Sequence, residues 1–223
     1  MGLFKQFFNN TRKPNGWMGK MMVNGMNQGH AAVSDWGLSH FPNVPTTAHS
    51  MLADFGCGGG RNTAALLKRF PAATVTALDY SKVACDKTKQ FNRHEVQAGR
   101  CDIVQGDVSR LPFEAEIFDV ITAFETVYFW PGPVKSFQEV WRVLKPGGTF
   151  MIVNESDGTK QADEKWTDII DGMRILTQEQ LTQYLQDAGF SKITAHVNRK
   201  QHWLCLLAEK ARWTEVPIQN ADS

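Results

Sequence analysis

The chain has 223 residues, with 24 Lys and Arg against 23 Asp and Glu and a formal net charge of +1. That length suits one domain that buries about 70% of the surface its unfolded chain exposes, and two independent domains would be cramped. The charge balance leaves no broad electrostatic footprint for nucleic acid, and no apolar run approaches the ~18 residues of a membrane span.

Near the N-terminus Leu3, Phe4, Phe7 and Phe8 are interrupted by Lys5 and Gln6, so no secretory signal is expected. Met1-Gly2 opens like a myristoylation start, but Gln6 stands where Ser or Thr is needed. Cys57, Cys85, Cys101 and Cys205 are widely separated, with no C-x-x-C pair. They read as reduced thiols in a cytoplasmic protein, and no metal centre is expected. Residues 1–48 crowd Phe, Trp and Met among glycines, which predicts short helices forming a cap on the core's edge.

Met51, Leu52 and Ala53 then form the short apolar run of a buried parallel strand. Gly56, Cys57, Gly58, Gly59 and Gly60 follow as a tight turn, and Arg61 to about Phe70 suits a helix that Pro71 stops. A strand, a bare turn and a helix start are expected to bring free backbone N–H groups to one point. A dinucleotide fingerprint, G-x-G-x-x-G, fails here: counted from Gly56 its third glycine is Arg61, and from Gly58 it is Thr63. The pattern present is Asp54-x-Gly56-x-Gly58-x-Gly60. A carboxylate just ahead of the turn opposes a pyrophosphate and suits a ligand carrying an ammonium and a sulfonium.

Thr74 to Asp79 reads as a second strand ending on an acid, placed to accept both hydroxyls of an adenosine ribose. Ser81 is a plausible N-cap for a helix to about Arg93. Cys101–Gln105 is a third strand, followed by Gly106, Asp107 and Val108. Phe118–Phe124 is an apolar fourth strand, and the loop Glu125–Pro131 beyond its carboxyl end faces any reaction. Gly132-Pro133 opens a helix carrying Val134, Phe137, Val140, Trp141 and Leu144 on one face. Leu144–Gly148 reads as a turn and Thr149–Val153 as the fifth strand. Thr177 and Gln180 form a capping box for a helix to about Ala188, closed by Gly189, and Ile193–Val197 with Trp203–Ala208 make a final strand pair.

An acid with G-x-G-x-G after the first strand, acids after the second and third, and Leu-Lys-Pro-Gly-Gly before the fifth occur in one order. Over about residues 50–209 the chain resembles the class I S-adenosylmethionine-dependent methyltransferases. The resemblance implies an α/β fold, with a Rossmann-like, mostly parallel seven-stranded sheet, flanking helices, an antiparallel last strand and an N-terminal helical cap. It divides the chain into a cap or lid over 1–48, a cofactor-binding domain over 49–211 and a tail over 212–223. The implied cofactor is S-adenosylmethionine, with S-adenosylhomocysteine as product. Its expected contacts are Asp54, Gly56, Cys57, Gly58 and Gly60 at the first turn, and Asp79, Tyr80 and Ser81 around the ribose. Gly106, Asp107 and Val108 are expected around the adenine, with Glu125 as a cofactor-side or gating group. Cys57 is assigned no chemistry.

The acceptor is expected to be a small molecule, and Trp36, Tyr128, Phe129 and Trp130 suggest an aromatic or apolar one or a cation–π contact to the sulfonium. The histidines of the cap, His30 and His40, and Tyr128 are the candidate bases. The acceptor atom and the oligomeric state are not readable. Two other readings stand beside this one. A glycine turn with a later acid also occurs in NAD-dependent oxidoreductases, and a non-catalytic cofactor-binding protein would carry the same residues.

Overall fold

A computed structural model describes residues 29–41, 47 and 49–212. The expected cap helices of residues 1–28 and nearly all of the tail lie outside the described residues. Of the cap, α1 (Ala31–Ser39) is seen, buried through Val33, Ser34, Gly37 and Leu38.

β1 (Met51–Phe55), β2 (Thr74–Asp79), β3 (Cys101–Gln105), β4 (Phe118–Phe124), β5 (Leu144–Asn154), β6 (Lys192–Asn198) and β7 (Trp203–Glu209) form one sheet. Its order is β3-β2-β1-β4-β5-β7-β6. The first five are parallel, and β7 runs antiparallel between β5 and β6. The chain walks outward from β1 to β3, then returns to β4 beside β1, so the order reverses between β1 and β4. In open α/β sheets that reversal leaves a crevice beyond the carboxyl ends of the two strands.

Helices cover both faces. On one, α1, α2 (Arg61–Arg69) and α3 (Lys82–Phe91) pack on the sheet, with Val33, Leu38, Leu66 and Leu67 meeting Leu52, Val75, Val120, Met151 and Val153. On the other, α5 (Pro133–Val143) and α7 (Gln178–Asp187) bury Phe137, Val140, Leu181 and Leu185 against Phe55, Ile121, Phe150 and Ile152. Both faces being covered explains why β1, β4 and β5 are apolar in succession rather than alternating. The shorter α4 (Arg93–Gln97) and α6 (Glu164–Ile169) lie between these elements.

Two expected elements differ in detail. The helix after Ser81 ends at Phe91, because the Asn92 side chain turns back to donate to Gly60 O at 3.0 Å and Thr88 O at 3.1 Å. The Leu144–Gly148 turn lies inside β5: register jumps from Phe118↔Leu144 to Val120↔Thr149, so Lys145–Gly148 bulge out of the ladder. The capping box at Thr177 and Gln180 forms as expected.

Candidate functional site

A cavity of about 570 Å³ opens beyond the carboxyl ends of the strands, in the size range of small-molecule sites. Gly56, Gly58, Asp79, Tyr80, Gly106, Asp107 and Val108 line one part of it, and Phe124, Glu125, Thr126, Phe129, Trp130 and Pro131 another.

The glycine turn is more self-contained than its sequence suggests. The N–H groups of Gly56 and Cys57 both donate to Leu78 O, at 2.7 and 3.1 Å, and Gly60 N donates to Cys57 O at 2.9 Å. Gly58 N donates to Asp79 Oδ2 at 3.1 Å. These four donors serve the turn itself, so the expected convergence of free N–H groups is corrected for them: β1 and β2 are stapled together here. Glycine is required at Gly56 (φ +80°), where a Cβ would stand 2.1 Å from Thr126 Oγ1. At Gly60 (φ +82°) a Cβ would meet Thr88 Cα at 2.8 Å. Gly60 thus seats α2 against α3 and does not line the cavity. Gly58 does, with open space where its Cβ would be.

Asp54 is 1% exposed and does not line the cavity. Thr63 Oγ1 donates to its Oδ2 at 2.7 Å and Thr122 Oγ1 to its Oδ1 at 3.2 Å. Burial pushes its carboxyl up to about 6, against the pull of those two hydroxyls. Its charge acts from beneath the turn rather than by contact. Cys57 is likewise buried, 3.3 Å from Thr88 Oγ1, and burial pushes its thiol well above the usual range. Asp79 faces the cavity while Ser81 N and Gly58 N hold its two oxygens at 2.9 and 3.1 Å. Burial raises its carboxyl despite those donors. Ser81 is 2% exposed and caps α3 through Ala84 N, so it positions the helix and stays off the cavity. Tyr80 is 38% exposed and open to a ligand. Asp107 Oδ1 takes Ser109 N and Oγ at 2.8 and 2.9 Å, an Asx turn that presents the carboxylate and Val108 to the cavity.

The three candidate bases are separated. Tyr128 is buried, its hydroxyl accepts from Ser156 N at 3.0 Å, and burial raises it well above its ordinary value. It does not line the cavity. His40 stacks on His196 at 4.2 Å and lies outside the cavity, with burial and the neighbouring histidine holding it below its usual value. Trp36, expected near the acceptor, packs instead on Trp203 and the edge of His40. His30 does not line the cavity either, but it lies beside Glu125, which does: its Nδ1 is 3.6 Å from Glu125 and 3.0 Å from Glu155. Burial works against its proton, but contact with Glu155 and the charge of both acids outweigh it, and its value is raised.

Glu125 sits at the β4 tip with φ 57°, its N–H on Val153 O and its carboxylate on Glu155 N. Burial pushes its carboxyl up to about 8, with His30 opposing and Glu155 adding to the rise. Arg174 and Gly172 were missed in the sequence. Arg174 reaches the cavity from the segment between α6 and α7, its Nη2 donating to Trp130 O at 2.6 Å and its backbone N to Tyr128 O at 2.9 Å. No motif surrounds it; only the fold brings it there.

Residues 53–152 match the family described as Methyltransferase domain. That match and the methyltransferase relatives support a class I S-adenosylmethionine-dependent methyltransferase domain over these residues. It is 31% identical over 149 residues to cycloartenol-C-24-methyltransferase 1 of Oryza sativa subsp. japonica, a match spanning 63% of this chain and 43% of that protein. It is 29% identical over 162 residues to the malonyl-[acyl-carrier protein] O-methyltransferase of Herminiimonas arsenicoxydans, spanning 71% of this chain and 58% of that one. The chain therefore matches only about half, or less, of these relatives' lengths. The Haemonchus contortus phosphoethanolamine N-methyltransferase 2, solved with phosphomonomethylethanolamine and S-adenosylhomocysteine, shares the fold with a TM-score of 0.74 at 14% identity. That alignment covers 95% of this chain and 61% of that one.

Proposed function

We propose that this chain transfers a methyl group from S-adenosylmethionine to a small molecule. The observation that carries the reading is the cavity itself: Asp79 and Asp107, at the tips of neighbouring strands, line one space together with Tyr80 and Val108. Two carboxylates suit the ribose hydroxyls and the adenine amino group, and an exposed aromatic ring suits a nucleoside face. Asp54, buried behind the turn, biases the adjacent space toward an ammonium.

S-adenosylmethionine supplies an electrophilic methyl on a sulfonium whose charge disperses as the acceptor attacks. The chain's task is to align the acceptor and keep water out, and alignment alone is worth roughly 7–11 kcal/mol in well-oriented reactions. Phe124, Phe129, Trp130 and Pro131 give the acceptor side an apolar wall, which supports an aromatic or apolar small molecule. Glu125 is an acid on that wall, and Arg174 reaches the same side of the cavity. Four free, buried cysteines favour a reducing compartment, and the cytoplasm is the proposed address.

The test is calorimetry with S-adenosylhomocysteine, followed by transfer of labelled methyl from S-adenosylmethionine across a panel of phenols, quinols, sterols and carboxylic acids. Saturable binding with transfer to at least one class is expected. Absence of binding at millimolar ligand overturns the reading, and binding without transfer to any acceptor turns it into a non-catalytic one.

A further inference from the structure

The start of α1 and the tips of β4 and β5 bring three ionisable side chains together beside the cavity. His30 Nδ1 lies 3.0 Å from Glu155 Oε2 and 3.6 Å from Glu125 Oε2. All three donor atoms fall within 4.8 Å of one another. Two carboxylates this close repel unless a proton or another positive charge lies among them, and the Glu125 side chain is only 10% exposed. His30 closes the cluster only as an ion pair: with its ring protonated, Nδ1 faces Glu155 at 3.0 Å and Glu125 at 3.6 Å. With the ring neutral, the Nδ1 lone pair and the two carboxylate oxygens are three donors that a divalent ion can share in place of the proton. Glu125 Oε1 is held by Glu155 N, which turns Oε2 toward the cluster, as an outer-shell contact fixes a ligand.

The two histidine spacings suit a single ion. Donors about 2.1 Å from a common centre stand about 3.0 Å apart at right angles and about 3.4 Å apart at the tetrahedral angle. The two histidine contacts bracket those separations. One imidazole with two carboxylates is a mixed set that suits first-row divalent ions, since imidazole favours Zn²⁺ or Fe²⁺ and carboxylate favours Mn²⁺.

We propose that His30, Glu125 and Glu155 form a divalent transition-metal site at the edge of the cavity, with its open positions on the side that Glu125 lines. A three-ligand site of this kind binds oxygen donors in its remaining positions, so the small molecule it would recognise presents a hydroxyl, phenolate or carboxylate there. It would also tie the first turn of the cap to the sheet. The site does not depend on the methyl-transfer reading.

The experiment uses the full chain stripped with a chelator and titrated with Mn²⁺, followed by calorimetry and pulsed electron paramagnetic resonance. One ion per chain is expected, with a Kd on the order of micromolar and nitrogen coupling from the imidazole. Glu155→Gln, at a half-exposed position, should weaken binding by about tenfold or more. His30→Ala should remove the nitrogen coupling, while His40→Ala keeps it. No binding by ~1 mM Mn²⁺ overturns the proposal, and so does binding that Glu155→Gln leaves unchanged. If His30→Ala does not fold, Glu155→Gln decides alone. S-adenosylhomocysteine is titrated in parallel: Mn²⁺ bound without it defeats the proposed function and leaves the metal site standing.

Discussion

The tips of β1, β2 and β3 and the loop beyond β4 line the same cavity, yet they are held in different ways. Around the first three tips nearly every polar group is bonded to a neighbour within the same βαβ units: Gly56 and Cys57 to Leu78, Gly58 and Ser81 to Asp79, Ser109 to Asp107. Beyond β4 the partners come from far along the chain. Glu125 meets His30 and Glu155, Tyr128 meets Ser156, and Trp130 meets Arg174. The first region is a preformed cradle. The second is assembled by tertiary contacts, and it is the part that differs in what it could accept. Binding of the shared nucleoside should depend on the first region, and choice of acceptor on the second.

The largest expected effect tests the cradle. Asp79→Ala removes the acceptor for two hydroxyls, each charge-assisted bond being worth about 1.5–3 kcal/mol, so S-adenosylhomocysteine affinity should fall at least about a hundredfold in calorimetry. Asp79→Asn, which keeps one oxygen and most of the turn, should lose less. Affinity equal to the unaltered chain in both variants would show that the cradle holds something else.

Gly56→Ala tests how tightly the two regions are joined. The added Cβ meets Thr126 Oγ1 at 2.1 Å in a left-handed backbone, so thermal or urea unfolding should show a loss of roughly 2–5 kcal/mol. Combining it with Thr126→Gly should recover the steric share and leave the backbone share. No recovery would mean that the glycine is needed for its φ angle alone.

How much of this was legible follows the same division. The strand-tip acids and the glycine turn sit at fixed short spacings within βα units, so the chain order itself placed Asp79, Asp107 and Gly58. The sheet was legible for the same reason, since buried strands are apolar runs and Thr177 with Gln180 marks a helix start by local hydrogen bonding. What was not legible depends on side-chain direction. Asp54 and Ser81 belong to the right motifs but point into protein, and the turn's N–H groups are consumed internally. His30, Glu125 and Glu155 are separated by 95 and 30 positions, and no local pattern joins them. Arg174 lies in a segment with no periodicity to read.

Asp54→Asn separates charge from shape within the cradle. A carboxyl raised to about 6 in the fold, against 3.8 ordinarily, binds its proton more tightly when folded. Stability is therefore fullest below about pH 4, falls as pH rises from about 4 to 6, and is flat above. The Asn variant lacks that loss, so at pH 7.5 it should be more stable than the parent by about 1–3 kcal/mol, and the gap should close toward pH 4. Urea titrations across that range check it. A variant less stable at pH 7.5 than at pH 4, relative to the parent, would mean that the Thr63 and Thr122 hydroxyls outweigh burial.

Tyr128→Phe asks whether the second region carries a base at that position. The hydroxyl accepts Ser156 N in a buried setting, so its removal leaves that N–H without a partner and should cost about 1–3 kcal/mol of stability. Methyl transfer should fall by no more than about tenfold, through loosening of the loop, with an unaltered pH profile. A loss of a hundredfold or more with stability intact would instead place the phenol at the reacting atoms.

The smallest effect is expected at His40, and its smallness is informative. Its ring stacks on His196 against β6, and its Nε2 is buried without a hydrogen-bond partner. Leucine fills similar space without a polar atom to desolvate, so His40→Leu should change stability by less than about 1 kcal/mol in either direction. The cavity wall does not include this position, so transfer rate and S-adenosylhomocysteine affinity should both stay within about twofold of the parent. Should the rate collapse while affinity holds, the acceptor would have to approach from the α1–β6 side. The apolar wall of Phe124, Phe129 and Trp130 would then be core packing rather than the chamber in which transfer occurs.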